Sequence, residues 1–154
     1  TLFRSTQIIS PMTDELKTDK EEDADELFQQ HIEAQCKRLR ILGFTGTPII
    51  RGNLNAMDKS LLPSLQTVCT EILNNIAKHG KPGAFAFILS VGPDAVRIFA
   101  SNLYNAAINS APENHYGTAL IQDFAQQHNG TMTINSENEE WSLSLAIPLT
   151  HQTH

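Results

Sequence analysis

Four side chains with chemistry to offer fall in one short stretch, Glu71, Asn75, Lys78 and His79, within the run Glu-Ile-Leu-Asn-Asn-Ile-Ala-Lys-His. A helix advances about 100° per residue, so with Glu71 at zero Asn75 falls at about 40° and Lys78 at about −20°, an arc of roughly 60°. Leu61, Leu65, Val68, Ile72 and Ile76 fall beside them, on an arc centred at about 100°. Such a helix buries an apolar stripe and carries a carboxylate, an amide and an amine along one margin of it. That arrangement suits a metal-bound phosphate ligand held against a rigid wall. The competing reading is an ordinary amphipathic helix whose exposed margin is polar.

The elements that must position this helix follow from period and punctuation. Residues 20 to 42 place acids early (Glu21, Glu22, Asp23) and bases late (Lys37, Arg38, Arg40), a polarity that favours the helix dipole. Leu27, Phe28, Ile32, Leu39 and Leu42 supply an apolar side, and Gly43 a stop. Pro48-Ile49-Ile50-Arg51 reads as a short strand. The central helix spans Asp58 to His79, with Asp58 or Ser60 as N-cap and Pro63 tolerated in the first turn. Gly80-Lys81-Pro82-Gly83 ends it. Ala84 to Val91 and Ala95 to Ala100 alternate about Gly92-Pro93-Asp94 as a hairpin. Residues 101 to 116 show little periodicity and read as a long loop of the functional kind. Leu120, Ile121, Phe124 and Ala125 mark a helix over Gly117 to Asn129. Thr131 to Asn135 and Trp141 to Leu149 are strands joined by an acidic turn. This order predicts an α/β two-layer sandwich: a mixed, mainly antiparallel sheet of about five strands, covered on one face by about three helices.

The spacing Glu71, Asn75, Lys78, His79 resembles the N-box of the GHKL ATPase superfamily, in particular the ATP-binding domain of bacterial sensor histidine kinases. The element order is similar too, over residues 20 to 149. The resemblance implies that Asn75 binds the Mg²⁺ bridging the phosphates of ATP and that Lys78 and His79 lie near phosphate. It implies that Glu71 supports the reacting phosphoryl group or a water. His115-Tyr116-Gly117-Thr118-Ala119-Leu120 resembles the second glycine box, Gly-x-Gly-Leu, with Ala119 in place of the second glycine. A helix N-terminus there meets phosphate through free N–H groups, and a Cβ limits close approach. Gly117, Thr118, Ala119 and Leu120 are therefore candidate phosphate-binding residues. A simple helix start is the bland alternative.

The first glycine box, Asp-x-Gly-x-Gly, falls on Ser101-Asn102-Leu103-Tyr104-Asn105. Ser101 takes the place of the adenine-binding aspartate, Asn102 is retained, and Leu103 and Asn105 replace the glycines. A serine hydroxyl accepts a weaker hydrogen bond than a carboxylate. Residues 103 to 116 correspond to the lid that closes over nucleotide. No histidine of the chain is followed by an acid, as a phosphoacceptor histidine usually is. The resemblance therefore implies that the acceptor lies on a separate helical domain of the parent protein, with a response regulator downstream.

Composition bounds these expectations. The 154 residues are 40% hydrophobic and 18% charged, which suits one domain with a sizeable core. A net charge of −6 argues against nucleic-acid binding but not against nucleotide, because amides and a metal neutralise phosphate locally. No apolar run approaches the roughly 18 residues of a membrane span. No HxxxH or Cys/His cluster suggests zinc. Cys36 and Cys69 form no CxxC pair; Cys69 reads as a small buried hydrophobe, which fits a cytoplasmic setting. His31 and His128 read as solvated helix residues. A chain that starts at Thr1 is expected to be an excised fragment, with the parent's membrane anchoring left open. Residues 1–19 are expected to be a linker or edge segment, with Thr13-Asp14 or Thr18-Asp19 as possible helix starts, 20–150 the ATP-binding domain and 151–154 a tail. The departures at Ser101, Leu103, Asn105 and Ala119 keep a second expectation open, a degenerate domain retained as an interaction module. A third, an anti-sigma-factor-like Ser/Thr kinase, shares the fold.

Overall fold

The computed structural model describes residues 12–104 and 118–149, with side chains from Ala24 onward. Helix α1 runs Met12–Ile41, strand β1 Pro48–Gly52, helix α2 Leu61–His79, strand β2 Gly80–Val91 and strand β3 Ala95–Tyr104. Helix α3 spans Thr118–Gln127, strand β4 Thr131–Glu137 and strand β5 Glu140–Pro148. The sheet order is β1-β2-β3-β5-β4, with β1 parallel to β2 and every other pair antiparallel. This is the mixed five-stranded, three-helix sandwich expected from the order of elements.

The apolar periods explain the layers. Phe28, Ile32, Cys36 and Leu39 on α1, and Leu65, Val68, Ile72 and Ile76 on α2, are buried. They meet the inward residues of the central strands: Phe85, Phe87 and Leu89 on β2, Val96, Ile98 and Ala100 on β3, Trp141, Leu143, Leu145 and Ile147 on β5. Each large side chain fully buried here is worth about 1.5–3 kcal/mol relative to exposure. Helix α2 is central, touching α1 on one flank and α3 on the other.

Gly43, at φ 103°, ends α1 in the left-handed conformation that glycine adopts freely, and Phe44 N–H then donates to Leu39 O. At the start of α2, Asp58 Oδ1 accepts from Ser60 N–H; Ser60 itself makes no side-chain cap.

Four expectations shift. Helix α1 begins at Met12, ahead of residue 20 and beside Thr13-Asp14, the earlier of the two expected helix starts. Gly80-Lys81-Pro82-Gly83 ends α2 but belongs to β2, where the pairing register with β3 slips between Gly80 and Phe85. That irregularity accommodates Pro82, which cannot donate to a ladder. Strand β3 continues past Ala100 to Tyr104. His31 and His128 are both half-buried: the first lies 2.8 Å from Thr70 Oγ1, and the second packs on Phe124 with ring centroids 4.7 Å apart.

Cys36 and Cys69 are both fully buried. Burial pushes the Cys36 thiol up to about 12, with Glu33 adding to the rise and Arg40 opposing it; burial, and Cys36 beside it, raise Cys69 further still. Neither is a nucleophile at neutral pH. Among the described residues no helix is long and apolar enough to cross a membrane.

Candidate functional site

Two hydrogen bonds fix how α2 is turned. His31 Nε2 meets Thr70 Oγ1, and Arg38 donates through Nη2 to Asn74 Oδ1 at 2.7 Å. Thr70 and Asn74 therefore lie on the flank of α2 that faces α1. Glu71 and Asn75 stand about 100° further round the helix, and His79 one turn beyond Asn75. Glu71, Asn75 and His79 thus form an i, i+4, i+8 row turned away from the flank that faces α1. All three are half-buried, while Lys78 is exposed. Lys78 and His79 occupy the last turn of α2, where positive charge complements the helix dipole.

Asn75 carries the most informative atom of the row. Its Nδ2 is buried and has no hydrogen-bond partner among the described residues. Leaving such a group unpaired costs about 1–3 kcal/mol. The amide calls for a partner that the described residues do not supply.

The end of β3 reaches the same place. The inward alternation Val96, Ile98, Ala100 continues through Asn102 and Tyr104, both buried. Asn102 Nδ2 donates to Leu103 O at 2.7 Å. A β-carbon on Gly80 would collide with Asn102 Nδ2 and fall 2.5 Å from Ile76 O. Gly80, which follows the last residue of α2 and lies five residues beyond Asn75, therefore packs directly against Asn102. Ser101 is turned the other way: its neighbours in register are Ala86 and Ser142, on the sheet face that bears no helix. Ser101 and Asn102 were expected side by side at one ligand, and strand geometry sends them to opposite faces. The loop reading of residues 101–104 concealed this.

Trp141 is the register partner of Asn102 on β5, faces the same interior and is buried, with Nε1 lacking a hydrogen-bond partner among the described residues. Sequence reasoning assigned it only to a strand. Its inward parity was visible in the alternation Trp141, Leu143, Leu145, Ile147, but not its pairing with Asn102.

In the second glycine box, Thr118 is the first residue of α3 and is buried, whereas Ala119 and Leu120 are exposed. Of the expected lid, Leu103 and Tyr104 are the last two residues of β3, while Asn105 to Tyr116, and Gly117 after them, lie outside the described residues. Among the described residues no group of three or more His, Cys, Asp or Glu could hold a metal ion. Magnesium does not require one: it keeps several waters and is held by one or two protein oxygens with substrate phosphates. An isolated asparagine fits that donor set.

Three helices on one face of this mixed sheet give the fold of histidine kinase catalytic domains, a GHKL-like fold. The catalytic domain of histidine kinase ThkA, in a nucleotide-free form, superposes with a TM-score of 0.59 at 12% identity, covering 82% of this chain and 95% of that one. Histidine kinase AdeS of Acinetobacter baumannii gives 0.60 at 10% identity, over 84% of this chain and 65% of its own. The blue-light activated histidine kinase of Erythrobacter litoralis gives 0.55 at 11%, over 77% and 41%. The chain thus spans only part of the larger kinases it resembles. No family model matches the sequence, and no curated protein matches it.

Proposed function

We propose that the chain is the Mg·ATP-binding catalytic domain of a sensor histidine kinase, acting in two-component signal transduction. The observation that carries this reading is Asn75 on a histidine-kinase catalytic fold: its buried Nδ2 has no partner among the described residues and can donate to a phosphate oxygen, which leaves Oδ1 for the metal. Asn75 would hold the magnesium ion, which, when bound, neutralises charge on the transferring phosphoryl group. Glu71, one turn before Asn75, would orient the acceptor or a water. Lys78 and His79 would offset phosphate charge. The amides of Gly117 to Leu120 would cradle phosphate, where Ala119 narrows the approach.

Of the two residues expected to border adenine, Asn102 would be the acceptor for the exocyclic amine; its position on the helix-bearing side of the sheet, with Ser101 on the other, supports that choice. Its Nδ2 is engaged by Leu103 O, so Oδ1 is the atom left to accept. Phosphoryl transfer depends on positioning and charge neutralisation more than on covalent help from the protein. An imidazole nitrogen of a histidine outside this chain would form the new N–P bond as the γ-phosphorus to β,γ-oxygen bond breaks and ADP leaves. The partners of this reading are the phosphoacceptor helical domain of the parent and a response regulator, in the cytoplasm.

The test is a calorimetric titration with Mg·ATP, with Mg·GTP as control. Saturable, Mg²⁺-dependent, adenine-selective binding is the expected result. No heat at millimolar nucleotide, on this chain and on a longer one carrying the helical domain, would overturn the reading. It would favour the non-catalytic interaction module, for which the buried Tyr104 near the family's glycine positions is the supporting observation.

A further inference from the structure

The sheet has a second face, and its residues are sorted by chemistry in rows across the strands. One outer row reads Arg51, Ser90, Arg97, Ala146, Thr131. The next carries Ile49, Ile88 and Phe99 side by side, followed by Ser144 and Thr133. The third is made of small or polar residues, Ala86, Ser101, Ser142 and Asn135. The fourth holds Leu103, Glu140 and Glu137. No described helix covers this face, and Ile49 and Phe99 are 41% and 39% exposed.

Three features of this face have no explanation among the described residues. Three large apolar side chains stand in a line on an open surface. Arg51 and Arg97 form no ion pair among the described residues. Glu137 and Glu140 are direct register partners across the β4–β5 turn, and like charges placed opposite each other are destabilising.

We infer that this face packs against the same face of a second copy of the chain. The pattern is self-complementary about one two-fold axis only. An axis in the sheet plane, lying across the strands midway between the second and third rows, reverses the row order between protomers. The apolar ridge Ile49, Ile88, Phe99 then sits over its partner's small row, ridge into groove. The arginine row lies over the glutamate row, with Arg97 within reach of the partner's Glu140 one strand away. The alternative in-plane axis, along the strands, keeps each row over its own copy, so the arginine row never meets the glutamate row and no opposite charges are brought together. Isologous contact of this kind is the commonest route to a homodimer.

Strands about 4.8 Å apart and rows two residues apart make the face roughly 20 Å square. That is about half the roughly 800 Å² per partner of a standard interface, so the dimer is weak and reversible.

Sedimentation equilibrium across a concentration series, from about 10 µM to 1 mM, tests this. The expected result is a monomer–dimer equilibrium that weakens as salt is raised, because the rim pairs are screened. Phe99→Glu should leave a monomer throughout; Phe99 is half exposed, so the variant keeps its fold, checked by circular dichroism. Arg97→Glu and Glu140→Arg should each weaken association about tenfold or more. The two substitutions together should restore it. A strictly monomeric wild type overturns the inference and leaves the face to a different partner. A dimer unmoved by Phe99→Glu, or a double reversal without recovery, overturns it equally.

Discussion

A β-carbon on Gly80 would occupy the space of the Asn102 amide. This contact joins the end of the helix that bears Asn75 to the strand end that would meet the base, so two parts of the candidate site are set by one close approach. Gly80→Ala should therefore destabilise the protein by about 2 kcal/mol or more, since the β-carbon meets helix backbone as well as a buried side chain. Chemical denaturation measures the loss, and nucleotide affinity should fall with it.

Asn75 separates binding from stability. Asn75→Ala should lower Mg·ATP affinity by 100-fold or more, on the order expected when a metal ligand is removed. Because the native amide is buried without a described partner, Asn75→Leu should raise stability by about 1 kcal/mol while abolishing binding. Calorimetry and thermal melting on the same samples check both. A variant with unchanged affinity would remove Asn75 from the site.

Ser101 and Asn102 are distinguished by the face each occupies. Ser101→Ala should leave Mg·ATP affinity within about twofold, whereas Asn102→Ala should cost about tenfold or more, the worth of a buried hydrogen bond. The reverse pattern would restore the assignment made from the motif alone.

The buried thiols predict an alkaline limit. For a thiol the neutral form is the one the core favours, so a folded value raised above the ordinary 9.0 contributes stability in full below about pH 9. That contribution is lost as pH rises toward about 12, the folded value of Cys36. Stability should decline over this window, and the decline should be smaller in Cys36→Ala/Cys69→Ala relative to its own neutral-pH stability. Ellman's reagent should find no reactive thiol in the native protein and two after denaturation.

The central helix was legible because Leu61, Leu65, Val68, Ile72 and Ile76 repeat at its period and chemistry lines one margin. The N-terminal end of α1 was legible only as a choice of cap, Thr13-Asp14 or Thr18-Asp19, because residues 12–19 offer no apolar stripe whose period could extend the helix. At β3 the alternation runs unbroken from Val96 to Tyr104, but its fourth inward position is Asn102. Asparagine is a turn residue by propensity, and only burial against Gly80 shows that it belongs to the strand. The candidate site was half legible for the same reason. Helical spacing groups Glu71, Asn75 and Lys78 from sequence, whereas in the structure Lys78 is exposed and His79 is the third half-buried member of the row, and choosing between Ser101 and Asn102 requires knowing which face of the sheet the helices cover.

Trp141 is the chain's one tryptophan. It is buried, its indole N–H has no described partner, and its register partner is Asn102. The protein therefore carries its own optical reporter. An indole in a dry, unbonded setting emits toward the blue, and any ligand, proton or water that reaches Asn102 changes that setting first. Occupancy of the site becomes readable as a colour shift in unlabelled protein, against a background that no second tryptophan can blur.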